Sequence, residues 1–535
     1  SRQRMFNEYM LPYQAAVEAG VGSAMSAFNE VEGIPAAANH WLLTDLLRGQ
    51  WGFDGFVVSD WDAVRELTEH GIGNMQEVSA RALIAGLDMD MASEGLVGTL
   101  KKSFDEGKVT EEQINIACRR ILVAKYKLGL FKDPFKYCNE ERAEKELFTP
   151  EHRQAAREMA AESFVLLKNK GNLLPLQKKG KIAVVGPLAD NRRNMLGTWT
   201  VSADLDTPVS VLEGLKEAVG DKAEIKYARG SNLTYDEELE KRASHLGKGF
   251  PRDGRSDNEL QQEALDIAIQ ADIVIAVMGE AAEMSGESTS RTDLNIPDAQ
   301  KDLLKKLVKT GKPVVLVLFA GRPLTLVWEE ENVPAILDVW FPGTEAGYAV
   351  ADVLFGDVNP SGKITATFPR SVGQVPISYN YKHTGRAPLK EKPSEKYRTG
   401  YIDETYEPLY PFGYGLSYTQ FEYSDLTLDK EVINSNEYLT ASITITNKGT
   451  VDGKEIVQLY LRDVVGSVTR PLKELKGYEK LFLKAGESKN VRFKITPEML
   501  RFYNYDIEYV YEPGEFDVMI GSNSRDVLTK RFILR

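Results

Sequence analysis

The sequence predicts a multidomain protein of the α/β plus all-β class: part of a parallel α/β barrel, then an open α/β sheet, then a β-sandwich. Its 535 residues are too many for one domain at about 150 residues per domain. Short apolar strands alternate with amphipathic helices up to residue 370. After residue 421 apolar and polar residues alternate with period two, which is typical of strands.

Residues 1–135 alternate short strands with helices, as parallel sheets do. The predicted strands are Gly22–Phe28, Gly55–Asp60 and Leu87–Met91, and the predicted helices are Trp41–Gln50, Asp62–His70, Val78–Ala85 and Glu111–Lys127. Strands this short favour a barrel over a doubly wound sheet. Because an eight-stranded barrel takes about 250 residues, we expect this stretch to supply only part of one.

A polar connector over Pro134–Lys145 leads into a second α/β region, with a linker at 136–155 and a domain at 156–370. A helix is predicted over His152–Asn169. The predicted strands are Ile182–Val185, Glu224–Ala228, Ile273–Met278, Val314–Phe319 and Ile336–Val339, with helices such as Asn258–Gln270 and Asp298–Lys309 between them. This order indicates an open sheet with helices on both faces.

Residues 371–420 are rich in Pro, Gly and Tyr with weak periodicity, which predicts an ordered linker. Residues 421–535 contain the strands Tyr438–Thr446, Lys454–Arg462, Lys473–Leu483, Asn490–Ile495, Gly514–Ile520 and Val527–Ile533. Such a series of alternating strands indicates a β-sandwich of immunoglobulin or fibronectin-III type.

Composition excludes several functional classes. The 66 Lys and Arg residues are interleaved with 79 Asp and Glu residues, for a net charge of −13, so we expect no nucleic-acid partner. No apolar run reaches the roughly 18 residues of a membrane-spanning helix. Cys118 and Cys138 lie outside CxxC clusters, and we expect both to be buried as small apolar side chains.

Asp60 is the first candidate catalytic residue. It ends the apolar strand Gly55–Asp60, and catalytic residues of parallel barrels lie at the carboxyl ends of strands. Trp61 follows it, and an indole ring can stack on the C–H face of a sugar. The alternative role for Asp60 is an N-cap of the helix near Asp62, and the pattern alone supports both equally.

The second candidate site is the loop after strand Ile273–Met278, which contains Glu280, Glu283 and Glu287. A solvated surface loop is the ordinary explanation of such a segment. The functional hypothesis makes one glutamate a general acid facing Asp60, since two carboxylates flanking a glycosidic bond hydrolyse sugars. Neither a phosphate-binding glycine motif nor an HExxH motif occurs, so we expect no cofactor and no metal.

At these motifs the sequence resembles glycoside hydrolase family 3, and within it the bacterial periplasmic β-glucosidases. The resemblance runs from residue 1 to residue 535. The motifs that carry it are AMSAFN (24–29), LRGQWGF (47–53), VSDW (58–61), SRTDL (290–294), GRP (321–323), WFPGTE (340–345), NPSGK (359–363) and PFGYGLSY (411–418).

The resemblance implies a partial (β/α)8 barrel, an (α/β) sandwich and a fibronectin-III-like domain. It also implies a retaining exo-β-glycosidase, with a β-glucosidase as the first choice. It assigns the nucleophile to Asp60 and the acid/base to Glu287, with Glu283 as the alternative. The substrate-binding positions that carry over are Met25, Trp61, Trp199 and Phe28, where Phe28 stands in place of the family's frequent Tyr.

The implied substrates are β-glucosides or β-linked gluco-oligosaccharides, and the implied location is periplasmic or secreted. We expect a partner segment carrying the earlier barrel strands of the same protein, and a homodimer stays open. The alternatives are a family 3 β-xylosidase and a non-catalytic fragment or scaffold that needs that segment.

Overall fold

A computed structural model describes residues 1–243, 250–388 and 395–535. The chain divides into two compact units. The first comprises Ser1–Glu146 with Phe502–Tyr509, and the second comprises Leu147–Arg501 with Val510–Arg535. Residues 389–394 of the expected linker lie outside the described residues. The predicted domain boundaries stay predictions.

The first unit is mostly helical and contains short strands. Its helices are α1 (Arg2–Met5), α2 (Leu11–Glu18), α3 (Ala63–Glu66), α4 (Met75–Ala85), α5 (Gly95–Asp105), α6 (Glu111–Lys127) and α7 (Glu140–Glu146), with π-helical turns at Phe6–Met10 and Trp41–Gln50 and a 3₁₀ turn at Ala36–Ala38. Its strands before residue 147 are β1 (Ser23–Ser26), β2 (Glu30–Val31), β3 (Ile34–Pro35) and β4 (Phe56–Ser59).

The parallel sheet of the first unit is open. Strands β1 and β4 pair in parallel, with Met25 opposite Val58. The predicted strand Leu87–Met91 is reduced to one parallel bridge between Val58 and Met89. Among the described residues this is a fraction of the eight strands of a closed barrel, so the prediction of a partial barrel is confirmed.

Local sequence signals fix the helices around this sheet. Helix α4 begins at a capping box of Asn74 and Glu77, and α6 begins at one formed by Thr110 and Gln113. Each box satisfies two amide groups that the first helical turn leaves open. Helix α4 ends at Gly86, whose φ is 109°, a conformation that favours glycine. The predicted helix Asp62–His70 shortens to the single turn α3.

The second unit contains a six-stranded sheet with the order β5-β10-β9-β8-β6-β7. Its strands are β5 (Val165–Asn169), β6 (Gly180–Val185), β7 (Ala223–Ala228), β8 (Ile273–Gly279), β9 (Val314–Phe319) and β10 (Ala335–Asp338). Its helices are α8 (Pro150–Ser163), α9 (Val211–Val219), α10 (Glu237–Arg242), α11 (Asp257–Gln270), α12 (Asp298–Lys309), α13 (Val327–Asn332) and α14 (Ala346–Phe355). All pairs are parallel except β10 with β5.

Both faces of this sheet are covered. Helices α8, α9 and α14 pack on one face, where Val184, Ile275 and Val317 are buried. Helices α11 and α12 pack on the other, where Ala276 and Leu316 are buried. The predicted open sheet with helices on both faces is confirmed, and the carboxyl ends of β6, β8, β9 and β10 meet at one edge.

Two sequence predictions are wrong in detail. The helix expected over His152–Asn169 stops at Ser163, and Val165–Asn169 forms β5, antiparallel to β10. The run of apolar residues from Phe164 continues the helical pattern, but these residues are buried alternately in the cores on the two faces of the sheet. The cysteines Cys118 and Cys138 are exposed, not buried.

The carboxyl-terminal part of the second unit is a β-sandwich. A four-stranded sheet contains β11 (Phe421–Tyr423), β12 (Thr427–Leu428), β14 (Leu439–Asn447) and β17 (Ser488–Ile495). A five-stranded sheet contains β13 (Val432–Ile433), β15 (Gly453–Asp463), β16 (Glu474–Leu483), β20 (Gly514–Gly521) and β21 (Val527–Leu534). Alternate residues of both sheets, such as Ile443 and Val457, form one core.

The remaining short elements complete the two units. They are 3₁₀ turns at Lys170–Asn172, Arg193–Leu196, Gly220–Lys222, Ala282–Met284, Val372–Gln374 and Pro497–Leu500, and the paired strands β18 (Phe502–Tyr503) and β19 (Tyr509–Val510). Tyr503 packs against Phe6 in the first unit, with ring centroids 4.9 Å apart. None of the helices in the described ranges is both long and apolar enough to cross a membrane.

Candidate active site

Asp60 lies immediately after β4, at the carboxyl end of this parallel strand. Its amide donates to the Ser26 carbonyl at the end of β1 (3.3 Å), and its carbonyl accepts from the Ala63 amide (3.2 Å). The side chain is half-buried, and its Oδ1 accepts a 2.7 Å hydrogen bond from the Trp61 amide. The backbone on both sides therefore fixes where this carboxylate points.

The alternative role of Asp60 as a helix N-cap is not what the structure shows. Helix α3 has Asp62 at its cap position, with a φ of 58° and without a side-chain cap bond. Asp60 lies two residues before Asp62, and its Oδ1 accepts a hydrogen bond from the Trp61 amide. The geometry therefore leaves the Asp60 carboxylate available for chemistry.

Three other predicted site residues lie near the same strand ends. Trp61 is 68% exposed and Met25 is 58% exposed, so both present apolar surface to solvent. Phe28, two residues beyond β1, is half-buried. Exposed aromatic and thioether groups beside a carboxylate suit the apolar face of a sugar ring, because their burial on binding removes apolar area from water.

A buried ion network that the sequence analysis missed holds β4 in place. The Asp88 carboxylate accepts from Arg48 (2.6 Å), from Arg120 (2.8 Å) and from the Val57 amide (2.8 Å). Arg48 also donates to the Gly55 carbonyl (2.9 Å), at the start of β4. Burial lowers the pKa of the Arg48 guanidinium, and the Asp88 charge opposes that change. The network anchors the strand that presents Asp60.

Replacement of Asp88 by alanine is expected to destabilise the first unit by about 3–5 kcal/mol, because it leaves a buried arginine without its counter-charge. Hydrogen exchange of peptides that cover β4 measures this loss within the unit. The control is Asp54→Ala, which removes an exposed pair with Lys127 and should change stability by less than about 1 kcal/mol. Equal hydrogen-exchange rates of the β4 peptides in the two variants would contradict a structural role for Asp88.

The glutamate loop, defined as residues 281–290, leaves the carboxyl end of β8 in the second unit. Glu283 is buried in the 3₁₀ turn Ala282–Met284. Glu287 is exposed, between Gly286 (φ 106°) and Ser288 (φ 56°). The structure therefore separates the two candidate acid/base residues by environment, with Glu287 on the solvent side.

Trp199 belongs to a segment that packs against the glutamate loop. The Thr198 hydroxyl donates to the carbonyls of Ser285 (2.6 Å) and Ala282. Trp199 itself is 69% exposed. The structure thus brings together, in the second unit, the predicted substrate-binding residue and the loop that carries the predicted acid/base.

Asp338 is a buried carboxyl group that the sequence analysis did not single out. It ends β10, and its Oδ1 accepts from the Trp340 amide (3.2 Å). Burial raises the pKa of Asp338 well above its usual value, and the Trp340 amide opposes this. This bond lies at a turn where Trp340 has a φ of 53°, so we assign Asp338 a structural role.

No group of three or more His, Cys, Asp and Glu side chains that could hold a metal ion occurs in residues 1–243, 250–388 and 395–535. The residues that the site offers are carboxylates, aromatic rings and backbone amides. Chemistry with these groups is acid, base and nucleophilic chemistry by carboxylates.

Comparison with known proteins decides the family. Residues 1–124 match the Glycosyl hydrolase family 3 N terminal domain, and residues 164–418 match the Glycosyl hydrolase family 3 C-terminal domain. A periplasmic beta-glucosidase of Salmonella typhimurium is 47% identical over 538 residues, which cover 100% of this chain and 70% of that protein. The chain belongs to glycosyl hydrolase family 3.

Other relatives of this family 3 chain are also named as glycosidases. A beta-xylosidase of Formosa agariphila is 41% identical over 98% of this chain and 71% of that protein. The crystal structure of a beta-glucosidase from Listeria innocua in complex with isofagomine superposes with a TM-score of 0.91 at 40% identity, over 100% of this chain and 71% of that one. Residues 455–524 match a Fibronectin type III-like domain. The predicted family, fold class and enzyme class, glycoside hydrolase, are therefore confirmed.

Proposed function

We propose that this family 3 chain carries both catalytic carboxylates of a retaining exo-β-glucosidase, which releases β-D-glucose from β-glucosides or β-linked gluco-oligosaccharides. The observation that carries the proposal is the 47% identity, over the whole chain, with a periplasmic beta-glucosidase. The half-buried Asp60 at a strand end and the exposed Glu287 on its loop support it. The relative's name also favours a periplasmic or secreted location.

In the first step an Asp60 oxygen attacks the anomeric carbon and forms a glycosyl ester. Glu287, in its acid form, gives its proton to the glycosidic oxygen, and the leaving alcohol departs. In the second step the Glu287 carboxylate takes a proton from water, the water oxygen attacks the anomeric carbon, and the ester bond to Asp60 breaks. Two inversions give net retention. This mechanism needs the two carboxyl groups about 5–5.5 Å apart in the working state.

Binding of the sugar falls to the residues around Asp60 and to the segment beside the glutamate loop. Trp61 and Met25 offer apolar surface for the sugar ring, and Trp199 offers a stacking surface from the second unit. Phe28 lacks the hydroxyl of a tyrosine, so its contribution is packing. Glu283 remains the alternative acid/base, although its burial makes access to a leaving group harder.

A second candidate function is that of a β-xylosidase. It is favoured by the beta-xylosidase of Formosa agariphila, which is 41% identical to this chain. The two sugars differ by the hydroxymethyl group at C5, so a pocket that accepts glucose must leave room for it. The ratio of kcat/KM for matched aryl β-glucosides and aryl β-xylosides decides between these functions.

We further propose that a barrel segment outside these residues completes the site. The parallel sheet of the first unit is open, and a cavity of about 720 Å³ lies beside β1. This volume falls within the roughly 300–1,000 Å³ that is usual for small-ligand pockets. Lining residues of that cavity include Met25 and Val57. An open sheet edge of this kind pairs readily with a further strand. A homodimer stays a prediction.

The test compares the chain alone with the chain joined to the part of the Salmonella relative that the match leaves out. The chain alone should turn over aryl β-glucosides at least about 10³-fold more slowly, since orientation of the substrate supplies much of the rate. The control is the joined protein with Asp60→Asn, which should stay inactive. Full activity from a preparation that mass spectrometry shows to hold only these residues would contradict the need for a segment. Inactivity of the joined protein would favour a non-catalytic scaffold.

A further inference from the structure

The glutamate loop is fastened at two points that flank Glu287. One nitrogen of Arg322, Nη2, donates to the Met284 carbonyl and to the Thr289 carbonyl (2.8 Å). Met284 lies three residues before Glu287, and Thr289 lies two residues after it. A single guanidinium group therefore holds both sides of the short turn that presents Glu287.

Arg322 is in turn held by a buried carboxylate. Glu280 is fully buried at the end of β8, and its Oε1 pairs with Arg322 (3.3 Å) and Arg291 (2.7 Å). Its Oε2 accepts from the Gly321 amide (3.3 Å), and its own amide donates to the Phe319 carbonyl (2.8 Å). These bonds tie the carboxylate to the carboxyl end of β9 as well as β8.

Arg291 fixes the far end of the same loop. It follows Ser290 directly, and it donates to Glu280 and to the Asn295 carbonyl (3.1 Å). The three charged groups thus form one cluster, which we call the Glu280 clamp: Glu280, Arg291 and Arg322. Burying a carboxylate with two arginine partners costs free energy unless the charged groups are fully hydrogen-bonded. Here backbone carbonyls inside the glutamate loop and just after it accept further bonds from the two guanidinium groups.

Close packing leaves the loop little freedom beneath the clamp. A β-carbon on Gly321 would come 2.1 Å from the Ser285 hydroxyl, so glycine is required where β9 passes the loop. On the other side, a β-carbon on Gly286 would come 2.7 Å from the Thr198 methyl group. The backbone of the turn is therefore held between two surfaces, while the Glu287 side chain is exposed.

We propose that the Glu280 clamp positions the glutamate loop so that Glu287 reaches the glycosidic oxygen of the substrate. Its members are positioning residues and do not touch the reacting atoms. This inference rests on the proposed function, because it takes Glu287 as the acid/base. The chemical consequence is specific: loosening the clamp weakens proton donation to the leaving group and leaves attack by Asp60 intact.

The test uses Arg322→Met, which removes both bonds to the loop carbonyls, in whichever preparation is active, the chain alone or the joined protein. The readout is kcat/KM for β-glucosides with leaving groups of different pKa. Methyl β-glucoside needs protonation of its leaving oxygen, and 2,4-dinitrophenyl β-glucoside does not. We expect a fall of about 10- to 100-fold for the methyl glucoside, as for small misplacements of a catalytic group, and less than about threefold for the dinitrophenyl glucoside.

Two further variants separate positioning from general damage. Arg322→Lys keeps a positive charge beside Glu280 but lacks the planar guanidinium that bonds two carbonyls. We therefore expect the same dependence on the leaving group, with a smaller loss of kcat/KM. It also serves as the variant to measure if Arg322→Met does not fold. The matched control is Arg252→Met: Arg252 pairs with buried Glu240 (2.6 Å) and donates to the Thr234 carbonyl (3.1 Å), away from the glutamate loop. This control variant should lower kcat/KM equally for both glucosides or leave both values unchanged.

Glu287→Ala, measured on the same two substrates, distinguishes failure of the clamp from failure of the proposed function. A steep leaving-group dependence in Glu287→Ala and a parallel one in the Arg322 variants would support the inference. A steep dependence in Glu287→Ala with an equal loss on both glucosides in the Arg322 variants would overturn the clamp and leave the proposed function standing. No leaving-group dependence in Glu287→Ala would overturn the acid/base assignment itself.

Discussion

Asp60→Asn is expected to lower turnover of aryl β-glucosides by about 10⁴-fold or more, because the variant cannot form the glycosyl ester. The asparagine keeps the size of the side chain and a carbonyl oxygen for the Trp61 amide, so the fold around β4 should survive. Steady-state kinetics measure the loss, and circular dichroism checks the fold. Asp60 is the residue where the strand end, the backbone contacts and the neighbouring indole coincide.

The matched control is Asp62→Asn. Asp62 lies two residues further on, has a φ of 58° that asparagine tolerates, and pairs with Arg65 on the surface (3.0 Å). This variant should keep activity within about threefold, as surface substitutions usually do. An independent check is an inactivator such as a 2-deoxy-2-fluoro-β-glucosyl fluoride, which should label a peptide that contains Asp60. Near-normal turnover of Asp60→Asn, or a label elsewhere, would remove Asp60 from the mechanism.

The parts of the fold that sequence predicts well are those with strong local patterns. Strand β9 and helices α6 and α12 have the predicted bounds. An unbroken apolar run defines β9, a capping box begins α6, and α12 follows a proline and repeats its apolar residues at helical spacing. Strand β5 was missed because Phe164 and the apolar residues after it extend the helical period of α8 without a break. What makes Val165–Asn169 a strand is its pairing with β10, which lies far away in the sequence.

The candidate site likewise contains residues with a local sequence signal and residues that only the fold brings together. Asp60 could be singled out as a candidate because a strand that ends on an acid is a local signal. That signal fits a helix N-cap equally well, and the family resemblance supplied the role of nucleophile. The clamp could not, because Glu280, Arg291 and Arg322 come from three separate motifs, and the sequence does not say which charges meet. Asp88 was missed for the same reason, since its partners Arg48 and Arg120 lie 40 and 32 residues away. Burial of a carboxylate is a property of the assembled fold.

Glu287 and Glu283 are a natural pair for the decisive test of the acid/base, because both lie on the glutamate loop and differ in exposure. Glu287→Gln is expected to lower kcat/KM for alkyl β-glucosides by about 10²- to 10⁴-fold, the usual contribution of a general acid. Glu283→Gln should cause a much smaller loss.

Rescue of activity by added azide is a sharper test of the acid/base assignment than the loss of activity alone. In Glu287→Ala the truncated side chain leaves room for a small anion beside the anomeric carbon, and the glycosyl ester on Asp60 awaits a nucleophile that needs no general base. Added azide should therefore restore turnover of activated aryl β-glucosides and give β-glucosyl azide, with the β-configuration preserved because Asp60 is displaced from the opposite face. Glu283→Ala should give glucose with or without azide. Rescue in Glu283→Ala, and its absence in Glu287→Ala, would transfer the acid/base role to Glu283, and an α-azide in either variant would contradict the retaining mechanism.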